Sequence, residues 1–410
     1  MTVTVIIPVH DNWPLTRDCL VSLAAHTQDI RIVVADNGST DETGVACPVL
    51  GRELFGECFT RLRFETNRNF GPACNAAADL ADSDLLLFLN NDTLLSPGWL
   101  PPLVRELDED AGLAGVGPLL LYPDGNVQHL GIAFWPAGGG VAHLYRNLPG
   151  DHALAGKARN FQALTAAALL VRRKDFLTVG GFDEGYVNGF EDVDLGLKLT
   201  ATGRRMRCLP KSRITHLESK TFRRKEHDEA NSARLAALWD MRRYGDLPEL
   251  TAADGYRLRV LPDLELVLDV TQERERELLA RLGSRFDPGR CAALLQEEPF
   301  WTGGWTLLSD FLERAGSWEL AAQVLIQYFS LIWAPAPEDR VRLVRIWRAL
   351  GQDTSAAEED LRRQHMAMEQ APARLRQVAD NLLASGKAGH AALIPLYEQA
   401  VVGALTKERL

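Results

Sequence analysis

LLLFLNNDT, residues 85–93, sets five consecutive apolar side chains against a polar close. A run that short, ended by turn-forming residues, is a strand rather than a helix, and a strand apolar on both faces belongs inside a parallel sheet. The strand is drawn from Asp84 to Asn90. Three more β-rich runs lie upstream, at Val3–Val9, Arg31–Asp36 and Arg61–Glu65, separated by amphipathic stretches. This alternation predicts an α/β domain with a mostly parallel, Rossmann-like sheet. Ligands of such sheets gather beyond the carboxyl ends of the strands. The residues to inspect are therefore Val9-His10-Asp11, Asp36-Asn37-Gly38-Ser39 and Asn90-Asn91-Asp92.

Composition narrows the function. The chain has 410 residues, 45 Lys plus Arg and 55 Asp plus Glu, a formal net charge of −10 that argues against nucleic acid as the main partner. Residues 204–243 run against that trend, with 12 basic and 5 acidic side chains, and are suited to meeting an anion or to solvation as a basic helix from Arg223 onward. Six cysteines form no CxxC pair, so neither a zinc site nor a disulfide framework is expected, and the compartment is read as reducing and cytoplasmic. The N-terminus is a strand broken by Pro8, without the charged start of a signal peptide. No uninterrupted apolar run of 18 residues occurs, so no transmembrane segment is expected and any membrane association is peripheral, at its inner face.

Several residue types at strand ends can carry chemistry. Asp36 begins a turn and serves either an Asx turn or recognition of a base edge. Arg68, Asn69, Gly71 and Asn75 lead into a helix whose N-terminus favours phosphate, although an ordinary loop junction has the same composition. Asp92 leaves the sheet where a divalent cation shared with phosphate would sit, and Asn90 can add a carbonyl oxygen. Glu191, Asp192 and Asp194 fall in the first turn of a helix expected over Val193–Thr202. The macrodipole favours acids there for structural reasons, but three carboxylates so close are relieved by a proton, a metal or a substrate hydroxyl. One of them can act as a general base. His216 follows another apolar stretch and lies inside the basic segment, which can balance charge on a departing phosphate.

Beyond residue 250 the β signal fades. Gly283, Gly316, Gly351 and Gly386 end related segments 33, 35 and 35 residues apart, and Ala321-Ala322, Ala356-Ala357 and Ala391-Ala392 follow the last three at a fixed offset. Glycine turns followed by small residues suit a stacked array of helix hairpins, with an irregular helical bundle as the alternative. The division expected is 1–250 for the α/β domain, 251–270 for a linker and 271–410 for an all-α helical-repeat domain.

Taken in order, VIIPVHDN, ADNGSTD, NRNFGPACN, LNNDT, GGFDE with FEDVDL, and THLESKT resemble family 2 glycosyltransferases of the GT-A fold, especially the bacterial rhamnosyltransferase-like branch. The likeness covers roughly residues 1–245 and includes GVGPLLLYPDGNVQHLG; the helical region resembles tetratricopeptide repeats in period. The resemblance implies a metal-dependent inverting transferase using Mn²⁺ or Mg²⁺ and a UDP- or dTDP-linked nucleoside-diphosphate-sugar donor. The acceptor would be a saccharide, lipid-linked or protein hydroxyl in bacterial cell-surface polysaccharide or glycoconjugate synthesis, and a protein partner would dock on the repeats. By the same resemblance, Pro8, His10, Asp11, Asp36, Asn37, Gly38, Ser39, Arg68, Asn69, Gly71, Asn75, Asn90 and Asn91 would contact the nucleotide-sugar. Asp92 and His216 would hold the metal, Asp192 would be the base, and Gly181, Phe182 and Glu191 would lie on the acceptor side. His10 stands where the family usually has tyrosine, and Asn90 replaces the first aspartate of Asp-x-Asp, which removes one negative charge from the metal site. An inactive nucleotide-sugar-binding scaffold and a sugar nucleotidyltransferase are the alternatives.

Overall fold

The computed structural model describes residues 1–218 and 227–407. The expected basic helix from Arg223 therefore begins outside the described residues. The chain divides into two compact units, Met1–Ala133 with Val141–Asp240, and Phe134–Gly140 with Met241–Leu410.

The first unit begins with the expected alternation: β1 (Val3–Val9), α1 (Trp13–His26), β2 (Ile30–Asp36), α2 (Thr43–Phe55), β3 (Phe59–Arg63), α3 (Phe70–Asp79) and β4 (Leu85–Leu89). There follow β5 (Thr93–Leu95), α4 (Leu100–Glu109), β6 (Leu113–Leu121), β7 (Val127–His129), β8 (Ile132–Phe134), β9 (Val141–His143) and β10 (Arg159–Phe161). The series ends with β11 (Ala168–Arg172), α5 (Arg173–Thr178), α6 (Glu191–Thr200), β12 (Arg205–His216) and α7 (Asp228–Leu238). The main sheet has ten strands in the order β10-β12-β6-β11-β4-β1-β2-β3, with β5 added to β12 and β7 to β6. Its β4-β1-β2-β3 half is parallel throughout. The other half is mixed, because β11 runs antiparallel to both β4 and β6 while β6 and β12 are parallel. "Mostly parallel" thus describes the first half alone; the whole is a mixed sheet.

The apolar run of β4 is explained by burial on both faces. Leu85, Leu87 and Leu89 join Val3, Val5, Ile7 and Val9 in a core completed by Cys19, Leu20 and Leu23 of α1. On the other face Phe88 meets Phe176 and Phe182, with ring centroids 5.0 and 4.9 Å away. Truncating one such buried aromatic typically costs about 3–5 kcal/mol. This packing fixes where β4 stops, and with it the place at which Asn90–Asp92 leave the sheet.

In the second unit α8 (Leu247–Ala253) precedes a hairpin of β13 (Tyr256–Val260) and β14 (Leu266–Val270), so the stretch read as a joining segment is structured. Helices then follow: α9 (Gln272–Leu282), α10 (Pro288–Glu297), α11 (Thr302–Arg314), α12 (Trp318–Leu331), α13 (Pro337–Ala349), α14 (Ser355–Ala384), α15 (Ala388–Ala391) and α16 (Ile394–Lys407). Gly283, Gly316, Gly351 and Gly386 all follow helices with φ between 68° and 87°, a left-handed conformation that glycine adopts without a steric cost. The alanine pairs behave less uniformly. Ala321 and Ala322 are buried, whereas Ala356 and the 391–392 pair face solvent. At 30 residues, α14 is also too long for one arm of a regular hairpin of that period.

Candidate functional site

Two groups of strand-end residues meet at the carboxyl edge of the sheet. The first stitches the loops after β1, β2 and β3 together. Asp11 Oδ1 accepts from the amides of Thr40 at 2.7 Å and Asp41 at 3.2 Å, and the Asp11 amide donates to Ser39 Oγ. Asn37 uses its whole amide: Nδ2 donates to Asn67 Oδ1 and the Asn69 carbonyl, and Oδ1 accepts from the Arg68 amide. His10 Nδ1 lies 3.0 Å from the Asn37 carbonyl, which can only accept, so Nδ1 carries the proton. Gly38, at φ +78°, permits this closure, since a Cβ there would lie 2.8 Å from the Thr66 carbonyl carbon. Pro8, having no N–H to give, sits just past Ile6, where the β1–β4 register ends.

Asp36, proposed from sequence as a base reader, is fully buried and faces two arginines. Its Oδ2 accepts from Arg61 and, at 2.8 Å, from Arg63 Nη1, while Oδ1 takes the Ser39 amide at 2.9 Å. Burial alone would raise its pKa; the Arg61 bond and the Ser39 amide outweigh that and hold the carboxyl below its usual range.

The second group surrounds β4. Asp92 and His216 are 5% and 7% exposed, and Oδ1 of the first lies 3.0 Å from Nε2 of the second. Gln128 orients that imidazole. Its Nε2 donates to the His216 carbonyl at 3.2 Å, which turns Oε1 toward His216 Nδ1 at 2.5 Å. Oε1 can only accept, so Nδ1 carries a proton, and Nε2 faces the Asp92 carboxylate and, at 3.3 Å, the Asn90 amide nitrogen. An imidazole nitrogen and a carboxylate oxygen at this spacing can share one divalent cation. The donor set of one carboxylate oxygen and one imidazole nitrogen fits Mn²⁺ or Mg²⁺ with the remaining positions left to phosphate oxygens. Among the described residues no group of three or more His, Cys, Asp and Glu could hold a metal without such help.

The three acids at the start of α6 have separate fates. Asp194 is buried, accepting from Trp239 Nε1 at 2.8 Å and pairing with Lys198 at 2.7 Å. Glu191 is buried with Oε2 on the Gly189 amide at 2.6 Å. Asp192 is half-buried, and its oxygens accept from backbone amides, Val193 at 2.9 Å and Ala166 at 3.2 Å. Crowding is thus relieved by distinct partners, and Asp192, the least buried of the three, accepts from backbone amides.

Other candidates serve the frame. Asn75 brackets Phe182, donating to its carbonyl and accepting from its amide, both at 2.9 Å. Phe182 is packed among Phe70, Phe88 and Phe176. Gly71 and Gly181 let these parts close: a Cβ on the first would lie 3.3 Å from Phe182 Cβ, and one on the second 2.6 Å from Asn75 Oδ1. Asn91 ties the loop to α1 through Thr16 Oγ1. The structure therefore brings Asn90, Asp92, His216 and Asp192 to one end of the sheet, but uses Asn75 and Phe182 to hold the GGFDE loop.

With this geometry in place, residues 4–176 match the family described as Glycosyl transferase family 2. That match covers less than half of the chain. The transferase match spans β1 to α5 and includes Asn90–Asp92, whereas Asp192 and His216 lie beyond it. The chain is 32% identical over 238 residues to the O-antigen biosynthesis protein RfbC of Myxococcus xanthus, covering 56% of this chain but only 18% of that protein. It is 29% identical over 223 residues to the N-acetylglucosaminyl-diphospho-decaprenol L-rhamnosyltransferase of Mycobacterium tuberculosis, covering 48% of this chain and 70% of that one. Among solved structures, the mannosyltransferase PcManGT of Pyrobaculum calidifontis, in complex with GDP-Man and Mn²⁺, aligns at a TM-score of 0.44 and 15% identity over 91% of this chain and 86% of its own. No described helix is long and apolar enough to cross a membrane.

Sequence reasoning missed Gln128, the two arginines on Asp36 and the residues that support Asp192 in the transferase domain. Arg61 and Arg63 carried a signal, since they alternate on one face of a strand beside the acid-ended β2. Their pairing yields a test. A depressed carboxyl pKa adds stability that is fully present above the unfolded value of about 3.9 and lost as pH falls through the folded one. At neutral pH, Asp36→Asn is expected to lower unfolding stability by about 3 kcal/mol. In urea titrations the gap from the parent should begin to narrow as pH falls below about 4 and close as it passes through the depressed folded pKa; a gap that does not narrow at all would contradict the ion-pair account.

Proposed function

We propose that the chain is an inverting glycosyltransferase moving a sugar from a UDP- or dTDP-linked donor to a saccharide, lipid-linked or protein hydroxyl, in synthesis of a bacterial cell-surface polysaccharide or glycoconjugate. The observation carrying this reading is the Asp92–His216 pair, whose carboxylate oxygen and imidazole Nε2 approach to 3.0 Å at the strand end that carries Asn90. In this reading Asp92 and His216 would hold Mn²⁺ or Mg²⁺, which would supply charge neutralisation of the diphosphate leaving group. Asp192 takes the acceptor hydroxyl proton, and the hydroxyl oxygen bonds to the anomeric carbon. The bond to the diphosphate breaks with its electron pair leaving on phosphate oxygen. The stitched loops around Asn37 and Ser39 would cradle the nucleoside, with His10 and Arg68 at their rim. The Gly181–Glu191 stretch would border the acceptor, and the helical unit would hold a protein partner or a large acceptor on a tetratricopeptide-like surface.

The test is donor turnover across a panel of UDP-, dTDP- and GDP-sugars with Mn²⁺, Mg²⁺ or chelator. Metal-dependent release of UDP or dTDP is expected. Nucleotide binding without turnover of any donor, with or without an oligosaccharide or lipid-phosphate acceptor, would favour a binding scaffold. Pyrophosphate release from a nucleoside triphosphate plus sugar phosphate would favour a nucleotidyltransferase.

A further inference from the structure

We infer that His129 is a positioning residue that sets Asp192 against the metal end of the site, acting through the backbone turn Thr165–Ala167. This rests on the reading of Asp192 as the base. The turn makes three directed contacts in three successive residues. The Thr165 amide points at His129 Nε2 at 3.3 Å, the Ala166 amide donates to Asp192 Oδ2 at 3.2 Å, and the Ala167 carbonyl accepts from the Asn90 amide at 2.9 Å. One short piece of backbone therefore links the base to the strand end that carries Asn90–Asp92.

The histidine is held in the one form that can do this. An amide can only donate, so His129 Nε2 must be the acceptor, which places the ring proton on Nδ1. Nδ1 lies 2.7 Å from His143 Nδ1, and the two rings meet edge to face at 79°. His143 therefore accepts and orients the ring. His129 is buried, and its desolvation, with His143 and His216 nearby, pushes its pKa well below the ordinary histidine value. On β7, Gln128 and His129 thus support the two halves of the site in adjacent positions, the first orienting His216 and the second anchoring the turn beneath Asp192.

Three substitutions separate this role from simple packing. In His129→Gln, the side-chain oxygen can reach the place of Nε2 and accept from the Thr165 amide. In His129→Asn, a polar group stays near His143 but falls short of Thr165; in His129→Leu, the acceptor is removed altogether. For Asn and Leu, kcat is expected to fall roughly 10- to 100-fold with little change in donor KM or in calorimetric affinity for UDP with Mn²⁺, since the displaced group is the base. Gln should recover most of the loss. Hydrogen exchange of the peptide spanning residues 163–168 gives a readout independent of turnover: exchange should quicken in Asn and Leu and remain near the parent in Gln. If Leu does not fold, the Gln against Asn comparison decides. Equal exchange and equal kcat in Gln and Asn would overturn the inference. If Asp192→Asn remains fully active, the reading of the base fails instead; if Asp192→Asn is crippled while His129→Asn keeps parental kcat and exchange, only the inference fails.

Discussion

Asp192→Asn is expected to lower kcat for sugar transfer by roughly 100- to 10,000-fold, the usual contribution of a positioned general base. The substitution keeps the side-chain shape and one oxygen to accept from the Ala166 amide, so the turn and the α6 start should be preserved. What it removes is the second acceptor oxygen and the negative charge that draws the hydroxyl proton. Calorimetric affinity for UDP with Mn²⁺ should stay close to the parent, which distinguishes loss of chemistry from loss of the donor site. The neighbouring acids cannot readily substitute: Glu191 is buried on the Gly189 amide and Asp194 is committed to Lys198 and Trp239. Near-parental transfer by the Asn variant would make Asp192 a helix-terminal residue and place the base elsewhere.

The parts legible in sequence were those in which residue type and position together carry the physics. LLLFL reads as an interior strand because both faces of β4 are buried, and the polar residues after it have to emerge at the edge of the sheet. Asp92 and His216 stand out by chemistry, although their 3.0 Å approach spans 124 residues of chain that no local pattern measures. The turn at 165–167 was not legible. It works through two N–H groups and one carbonyl, which alanine provides as well as any residue, so TAA shows no chemical signature. Gln128 was hidden for another reason: a glutamine in a short strand becomes informative only when the imidazole it clamps is in view.

The same distinction holds beyond the transferase sheet. Antiparallel β11 enters between β4 and β6, a choice governed by long-range pairing that the apolar run ALLVR does not encode. In the helical unit the four glycines mark turns because positive φ imposes a requirement on residue type. Alanine imposes none, and its pairs recur in sequence without recurring burial.

Asp92→Ala should be the most damaging change at the metal end, lowering metal-dependent affinity for UDP or dTDP by at least about 100-fold and abolishing turnover. Asp92 would contribute charge as well as an oxygen, and Asn90 in place of an acid leaves no second carboxylate in that motif to compensate. His216→Ala removes a neutral ligand and should weaken binding less. Gln128→Ala, which frees the ring to rotate and change tautomer, should cost about 10- to 100-fold through His216 alone. Chelation should reproduce the Asp92→Ala phenotype in the parent, and Mn²⁺ or Mg²⁺ should restore activity to the parent but not to the variant. The competing account makes Asp92–His216 a structural ion pair. In that case the substitutions lower thermal stability while the nucleotide binds equally well with metal and with chelator. Calorimetric titration of UDP and dTDP in both conditions separates the two, because only a bridging cation couples nucleotide affinity to this carboxylate and this imidazole at once.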